Sequence, residues 1–306
     1  MSRPIFLAAD GNYRVQLATC LRSIVDSNGA SWPLEFHVLM HDFPEDARAQ
    51  VRDSLPAGSA SITWVPIDVQ QFQDFWTDEH MSVMTFARLL VPAALPQHVS
   101  KVLYLDSDLI VLRDLSSLWE SDLNGKPVGA VLDSIDGRLQ SNTPGFERVP
   151  RVSAYFNAGV LLIDLERWRA DKISERALDY LQKHPTLPYC DQDAINVACD
   201  GRWARLHPRW NYQDHLEETI ADLPKDQWPG VVHFCTRLKP WKPGCLHPQA
   251  PLYDHFRKQT RFARSSARVV SDYGEEVWWR VKRFLRGFAV MRAVRDLVAA
   301  PRKASQ

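Results

Sequence analysis

The sequence predicts an α/β fold built on a mostly parallel sheet, and three observations carry that prediction. Apolar runs of strand length alternate with amphipathic stretches, clusters of Asp, Gly, Asn and Pro punctuate them, and Val102–Leu105 reads as a buried strand running into two carboxylates.

Ile5 to Ala9 fits a buried strand, Asp10-Gly11-Asn12-Tyr13 a turn, and Val15 to Asp26 a helix. Leu34 to Met40 is the second strand; a helix beginning near Pro44-Glu45 and reaching Ser54 leads to a third, Ser61 to Ile67. Val83 to Leu95 reads as a helix stopped by Pro96, and Lys101 to Asp106 as the fourth strand. Val128 to Leu132, Gly159 to Asp164 and Val231 to Cys235 fit later strands, with helices at Ile173 to Lys183 and Asp191 to Cys199. The Pro-rich Leu238 to Pro251 reads as a segment wrapping the surface, not as a linker between two cores.

In a strand, residues i and i+2 point to one face, so Asp106 and Asp108 converge near the strand's carboxyl end, where open α/β sheets bind ligands. Two close carboxylates repel unless a hard cation sits between them, which suggests a metal and diphosphate site; a polar surface turn is the alternative. His233 lies inside the apolar run Val231–Cys235, with Lys239-Pro240-Trp241 just beyond. Alone, such a histidine fits a satisfied core position; beside a phosphate-reaching Lys it completes a two-carboxylate, one-imidazole set suited to Mn2+ or Mg2+. Trp241 reads as a packing residue.

Asn157-Ala158-Gly159 puts an amide and two small residues ahead of a strand, which admits a ligand close to the backbone or forms a tight turn with Asn at positive φ. Asp191-Gln192-Asp193 opens a helix, offering either an N-cap or polar groups for sugar hydroxyls. Arg88, bracketed with His80 around an apolar run, needs an anionic partner.

At 306 residues with zero net charge, the composition is that of an ordinary globular protein. The charge is unevenly spread: Val277–Gln306 carries eight Lys and Arg against Asp296 alone, leaving a net +7 tail on a −7 body. Such a body does not suit nucleic acid, while the tail suits an anionic surface. Val277, Val281, Phe284, Leu285, Phe288 and Met291 follow helical spacing, Trp278 and Trp279 stand at the start, and Lys282, Arg283 and Arg286 lie off the stripe. This is the pattern of an interfacial helix; a helix packed on the domain with a solvated basic face is the alternative, favoured past Met291 by Arg295. The five cysteines form no C-x-x-C pair, which fits a reducing compartment. The N-terminus lacks a secretory h-region and no apolar run approaches 18 residues, so a protein neither secreted nor membrane-spanning is expected.

In this order, the segments Phe6–Tyr13, Phe86–Leu89, Val102–Asp108, Phe156–Val160, Asp191–Asp193, His233–Cys235 and Lys239–Trp241 resemble family 8 of the glycosyltransferases, the retaining group that includes bacterial lipopolysaccharide galactosyl- and glucosyltransferases. The resemblance covers about Ile5 to Trp241. It implies a GT-A type single domain over 1–250, with a Rossmann-like nucleotide-binding sheet flanked by helices, followed by a basic helical tail over 251–306. It implies that Asp106, Asp108 and His233 ligate Mn2+ or Mg2+, bridging the diphosphate of a UDP-sugar. Ala8, Asp10, Asn12 and Tyr13 match uridine-holding positions, with Tyr13 under uracil; Arg88, Asn157, Ala158, Asp191 and Gln192 match the sugar site, Ser107 the donor site and Lys239 a diphosphate contact. Asp191 and Gln192 are the catalytic candidates. Thr236 departs from the family, which has Gly there, and puts a side chain where a backbone amide faces phosphate.

The expected reaction is metal-dependent transfer of galactose or glucose from a UDP-hexose to a saccharide hydroxyl of a lipopolysaccharide or lipooligosaccharide acceptor, with retention. Gln192 is a poor nucleophile, so front-face attack by the acceptor is favoured over a covalent intermediate on a neighbouring Asp. The expected place is the cytoplasm, peripheral on the inner membrane through the basic tail. A haloacid dehalogenase-like phosphatase would need Thr or Val where Ile110 stands and an N-terminal motif; a non-catalytic, membrane-bound nucleotide-sugar-binding protein would have no reason to keep Asp106, Asp108 and His233 together.

Overall fold

The structure, a computed structural model, describes residues 3–28, 32–75, 82–213, 219–242, 245 and 247–264, together with Gly274. The expected tail helix from Val277, including Trp278 and Trp279, and the bracketing His80 lie outside the described residues.

The apolar runs form strands β1 (Pro4–Asp10), β2 (Leu34–His41), β3 (Ala60–Pro66), β4 (Lys101–Leu105), β5 (Leu109–Val111), β6 (Val128–Leu132), β7 (Phe156–Asp164), β8 (Trp203–Arg205), β9 (Tyr212–Gln213) and β10 (Val231–His233). Between them run α1 (Arg14–Asn28), α2 (Glu45–Arg52), α3 (Ser116–Trp119), α4 (Asp136–Gln140), α5 (Leu165–Ala170), α6 (Ile173–Lys183), α7 (Cys190–Ala198) and α8 (Ala250–Arg257), with short 3-10 turns. Seven strands make the main sheet in the order β3-β2-β1-β4-β7-β6-β8, and β5-β10-β9 make a small second sheet. The main sheet is mostly parallel, as expected; β7 alone runs antiparallel to both neighbours.

Strand parity builds a three-layer core. Ile5 and Leu7 of β1, Leu103 and Leu105 of β4, and Val160 and Leu162 of β7 pack on one side with α1. Phe6, Val102, Tyr104, Leu161 and Ile163 pack on the other with α6 and α7. Residues 251–264, expected to begin the tail, pack on this body: Tyr253 and Phe256 pack with Val232 and Phe234, and Arg22 of α1 holds Gln259 at 2.7 Å.

Two elements differ from expectation, each for a local reason. Val83 to Leu95 is no α-helix but a 3-10 helix over Val83–Leu90, capped by the Ser82 hydroxyl accepting from Met84 N at 3.3 Å. Pro92 ends it, because its ring would meet the Arg88 carbonyl of a continuing α-turn; that carbonyl instead accepts from Val91 N at 3.3 Å. β7 begins at Phe156, three residues before the expected Gly159, and Asn157 has no positive φ, so the tight-turn alternative fails. Asn157 enters the sheet because each half of its amide finds a buried partner.

Candidate active site

The carboxyl end of β4 is where the site begins. The strand stops at Leu105, and Asp106-Ser107-Asp108 form the turn into β5. Three bonds pin that turn: Asp106 N donates to Gly159 O at 2.8 Å, the Ser107 hydroxyl to Ala8 O at 2.7 Å, and Phe234 N to Asp108 O at 3.1 Å. The two carboxylates therefore converge through the turn and not through strand alternation, as the sequence had suggested. β10 runs antiparallel to β5 and pairs His233 with Leu109, which delivers the imidazole to the same point. One ligand atom from each of Asp106, Asp108 and His233 lies within 4.8 Å of the others.

This donor set fits a hard divalent cation: two carboxylate oxygens and one imidazole nitrogen, with His233 Nε2 3.1 Å from Asp108 Oδ1 and 3.7 Å from Asp106 Oδ2. Gly159 makes room for it, since a Cβ there would lie 2.1 Å from His233 Cε1 and 2.8 Å from Asp106 Oδ2. The small residue expected to admit a ligand thus admits a protein side chain. Burial alone would raise the Asp108 carboxyl, but the ammonium of Lys239, 2.8 Å away, and the His233 imidazole outweigh it and hold it well below the usual carboxylate range. Burial alone would lower His233; Cys235 and Asp108 outweigh it and push the imidazole well above its usual value.

A cavity of about 910 Å³ surrounds the three residues. At one end stand Ala8, Asp10 and Tyr13, where Asp10 accepts from Asn12 N and from the Ser82 hydroxyl, both at 2.9 Å. Burial, then the charges of Asp108 and Asp106, raise the Tyr13 phenol and keep it neutral. Its ring meets Trp241 edge-on at 6.1 Å, and Trp241 packs on Tyr253, as a packing residue would. Thr236 also lines the cavity, beside Lys239.

At the other end stand Asp133, Asn157, Asp191 and Gln192. Arg88, 7% exposed at its side chain, finds the anionic partners that its burial demands: Asp106 Oδ1 at 3.0 Å and Asp191 Oδ2 at 2.7 Å, with a further bond to Ala158 O. Burial opposes the guanidinium's charge, but Asp106 and Asp191 outweigh it and keep it cationic. Burial raises the Asp191 carboxyl to about 6 against the pull of Arg88 and Thr85. Asp191 sits in the first turn of α7 without capping it, because its carboxylate is turned to Arg88 and Thr85.

Of the expected site residues, Ala8, Asp10, Tyr13, Arg88, Asp106, Ser107, Asp108, Asn157, Asp191, Gln192, His233 and Lys239 share the cavity. Asn12 and Ala158 do not line it: Asn12 is exposed on the 3-10 turn, and buried Ala158 uses its backbone to hold Gln192 Oε1 at 2.9 Å and Arg88. Asp193, the third polar residue of its run, is fully buried and turns away to accept from Tyr155 OH and from Tyr189 N at 2.9 Å. Two further residues join the site without a signal in the sequence: Asp133, which accepts from the Asn157 and Gln192 amides at 3.0 Å each, and Asn211, behind His233. Nothing local marks either; only the parallel pairing of β9 with β10 brings Asn211 to the site.

A sheet of this order, with an acidic pair beside the switch to the antiparallel β7 and polar groups flanking it, defines a GT-A glycosyltransferase. The chain belongs to glycosyl transferase family 8, whose profile matches residues 4–245. A crystal structure of an active-site mutant of LgtC superposes with a TM-score of 0.74 at 26% identity, covering 87% of this chain and 99% of that one. A structure of the galactosyltransferase LgtC with donor and acceptor sugar analogues gives 0.71 at 28% identity, covering 84% and 96%. General stress protein A of Bacillus subtilis is 27% identical over 84% of this chain and 94% of its own length. Glycosyltransferase GlyE of Streptococcus pneumoniae is 29% identical over 78% of this chain, which spans only 57% of GlyE.

Proposed function

We propose that the protein transfers a hexose from a UDP-sugar to a saccharide hydroxyl with retention of configuration, using a divalent cation. The observation that carries this reading is that the Asp106, Asp108 and His233 group lines one cavity together with the aromatic Tyr13 and the polar Asp133, Asn157, Asp191 and Gln192. The likeness to the galactosyltransferase LgtC, crystallised with donor and acceptor sugar analogues, supports a hexose such as galactose as the sugar and a saccharide as the acceptor.

Tyr13 gives uracil an aromatic face, and Asp10 offers carboxylate oxygens beside it. Asp106, Asp108 and His233 would hold Mn2+ or Mg2+, which when bound neutralises charge on the leaving diphosphate. Lys239 adds a fixed cation at the same point, where negative charge grows as the bond to the anomeric carbon breaks. Arg88 keeps Asp106 and Asp191 apart and oriented, so that Asp191 can accept from sugar hydroxyls without repelling the metal ligands. Gln192 is committed twice over, with Oε1 on Ala158 N and Nε2 on Asp133, and so acts in orientation. Asp133 and Asp191 are also tied by amides or by Arg88, and Asp193 lies off the cavity, which favours front-face attack by the acceptor hydroxyl over a covalent carboxylate intermediate.

UDP release from a panel of UDP-sugars with Mn2+, with and without truncated lipooligosaccharide acceptors, tests the reading and identifies the donor. Asp108→Asn is expected to cut metal-dependent turnover by about 10²–10³-fold, with an unchanged circular dichroism spectrum. Unaltered turnover in that variant would sink the metal assignment.

A further inference from the structure

Asn211 does not itself line the cavity, yet it is bonded to two residues that do, His233 and Asn157. It is 2% exposed, lies between a 3-10 turn (Pro208–Trp210) and β9, and is carried to His233 by the parallel pairing that sets Val232 opposite Tyr212 and His233 opposite Gln213. Its Oδ1 is 3.1 Å from His233 Nδ1, and its Nδ2 donates to Asn157 Oδ1 at 2.8 Å.

The two amides cannot be turned round. Gly159 N, which can only donate, gives a hydrogen bond to Asn157 Oδ1 at 3.0 Å, so that atom is the oxygen. Asn157 Nδ2 then faces the Asp133 carboxylate at 3.0 Å, an acceptor, which agrees. Asn157 Oδ1 needs a donor from Asn211, which leaves the Asn211 oxygen toward His233. An amide oxygen can only accept, so Nδ1 of His233 carries a proton there, and Nε2 is the nitrogen turned to the Asp106 and Asp108 carboxylates, where a bound cation would take the place of its proton.

From this geometry we infer that Asn211 is a positioning residue for the metal site: it selects the Nδ1–H form of His233 and fixes the ring plane, so that Nε2 is the ligand atom. The inference rests on the metal-dependent reading above. The strut has a second end as well. Asp133, which anchors Asn157, also holds Gln192 Nε2 at 3.0 Å. Asn211, Asn157, Asp133 and Gln192 thus join the cation-binding group to the sugar end in one chain of hydrogen bonds, so a displaced ring disturbs both. Outer partners of this kind on histidine ligands change metal affinity about 10–100-fold when removed.

The test is Mn2+ binding to the full chain without substrate, followed by the electron paramagnetic resonance signal of free Mn2+, for wild type, Asn211→Leu and Asn211→Asp. Leu keeps the branching at Cγ and removes the acceptor; Asp keeps an acceptor for Nδ1. Expected is about 10–100-fold weaker binding in Asn211→Leu, a smaller loss in Asn211→Asp, and wild-type circular dichroism in both. Binding of Mn2+ by Asn211→Leu within twofold of wild type overturns the inference. Absence of Mn2+ binding in wild type would instead strike the metal-dependent reading itself. Should Asn211→Leu not fold, the 15N spectrum of His233 in Mg2+-loaded wild type decides: a proton on Nδ1 supports the inference, and a proton on Nε2 refutes it.

Discussion

Gly159 shows how little space the cation-binding group leaves. It stands in β7 directly beneath the turn between β4 and β5, receives Asp106 N on its carbonyl, and gives its own N–H to Asn157. A methyl group there would sit 2.1 Å from His233 Cε1 and 2.7 Å from Nδ1, whereas carbon contacts settle near about 3.5–4 Å. Because His233 is buried and bonded on both nitrogens, the ring cannot simply swing aside. Gly159→Ala is therefore expected to weaken Mn2+ binding by more than tenfold and to lower stability by about 1–3 kcal/mol, the usual cost of overpacking. Isothermal titration with Mn2+ and urea unfolding would check both; an alanine variant that matches wild type in the two measurements would show that the ring has room. Asp106, Asp108, His233 and Arg88 were legible in the sequence because each is polar in an apolar run and so demands a partner. Gly159 was legible only as room for a ligand and Asn211 not at all, since neither a glycine in a strand nor an asparagine in a loop points to a histidine more than twenty residues away until the fold places it beside them.

At the level of elements, the strands and long helices followed from periodicity, while the short pieces did not. β5, β8 and β9 have three, three and two residues, too few for any alternation to register, yet β5 and β9 flank β10 and carry the site's second sheet. The 3-10 helix over Val83–Leu90 shows a helical apolar face, and its tighter winding is set by Ser82 and Pro92 at its ends. The start of α7 carries a testable consequence. Asp193 ties it to Tyr155, the residue ahead of β7, accepting from Tyr155 OH and Tyr189 N, and burial raises its carboxyl to about 7 despite those bonds. Unfolded, the same carboxyl titrates near about 3.9. Between those values the folded chain holds the proton and the unfolded chain has lost it, so this group lowers stability as pH climbs from about 4 to 7, with no further change above. Asp191, raised to about 6, acts in the same direction over a narrower range. Asp193→Asn should flatten the fall in thermal midpoint across that interval relative to wild type. Parallel slopes for the two proteins, followed by differential scanning calorimetry from pH 4 to 8, would contradict the assignment.

Across the whole molecule, charge is divided between a body of net −7 and the segment Val277–Gln306 of net +7. The body ends in a packed corner, with Arg261 N bonded to Ser54 Oγ at 3.0 Å, so the basic segment is joined to the catalytic unit by a short stretch of chain. Among the described residues no helix is long and apolar enough to cross a membrane. The basic segment, with Trp278 and Trp279 ahead of an apolar repeat, suits attachment to an anionic lipid surface, where each Lys or Arg near the headgroups contributes about 1 kcal/mol. Such attachment would hold the cavity close to a lipid-linked saccharide while the acidic body is repelled from the same surface and stays free to turn. We predict that the full chain co-sediments with phosphatidylglycerol vesicles and not with neutral phosphatidylcholine, and that 0.5 M salt, which shortens the screening length to about 4–5 Å, releases most of it. A chain ending at Glu276 should lose this binding and keep UDP-sugar hydrolysis, because all the residues assigned to the cavity precede it. Equal sedimentation of the two chains would place the membrane contact elsewhere on the body or nowhere, and would leave the tail's charge without this role.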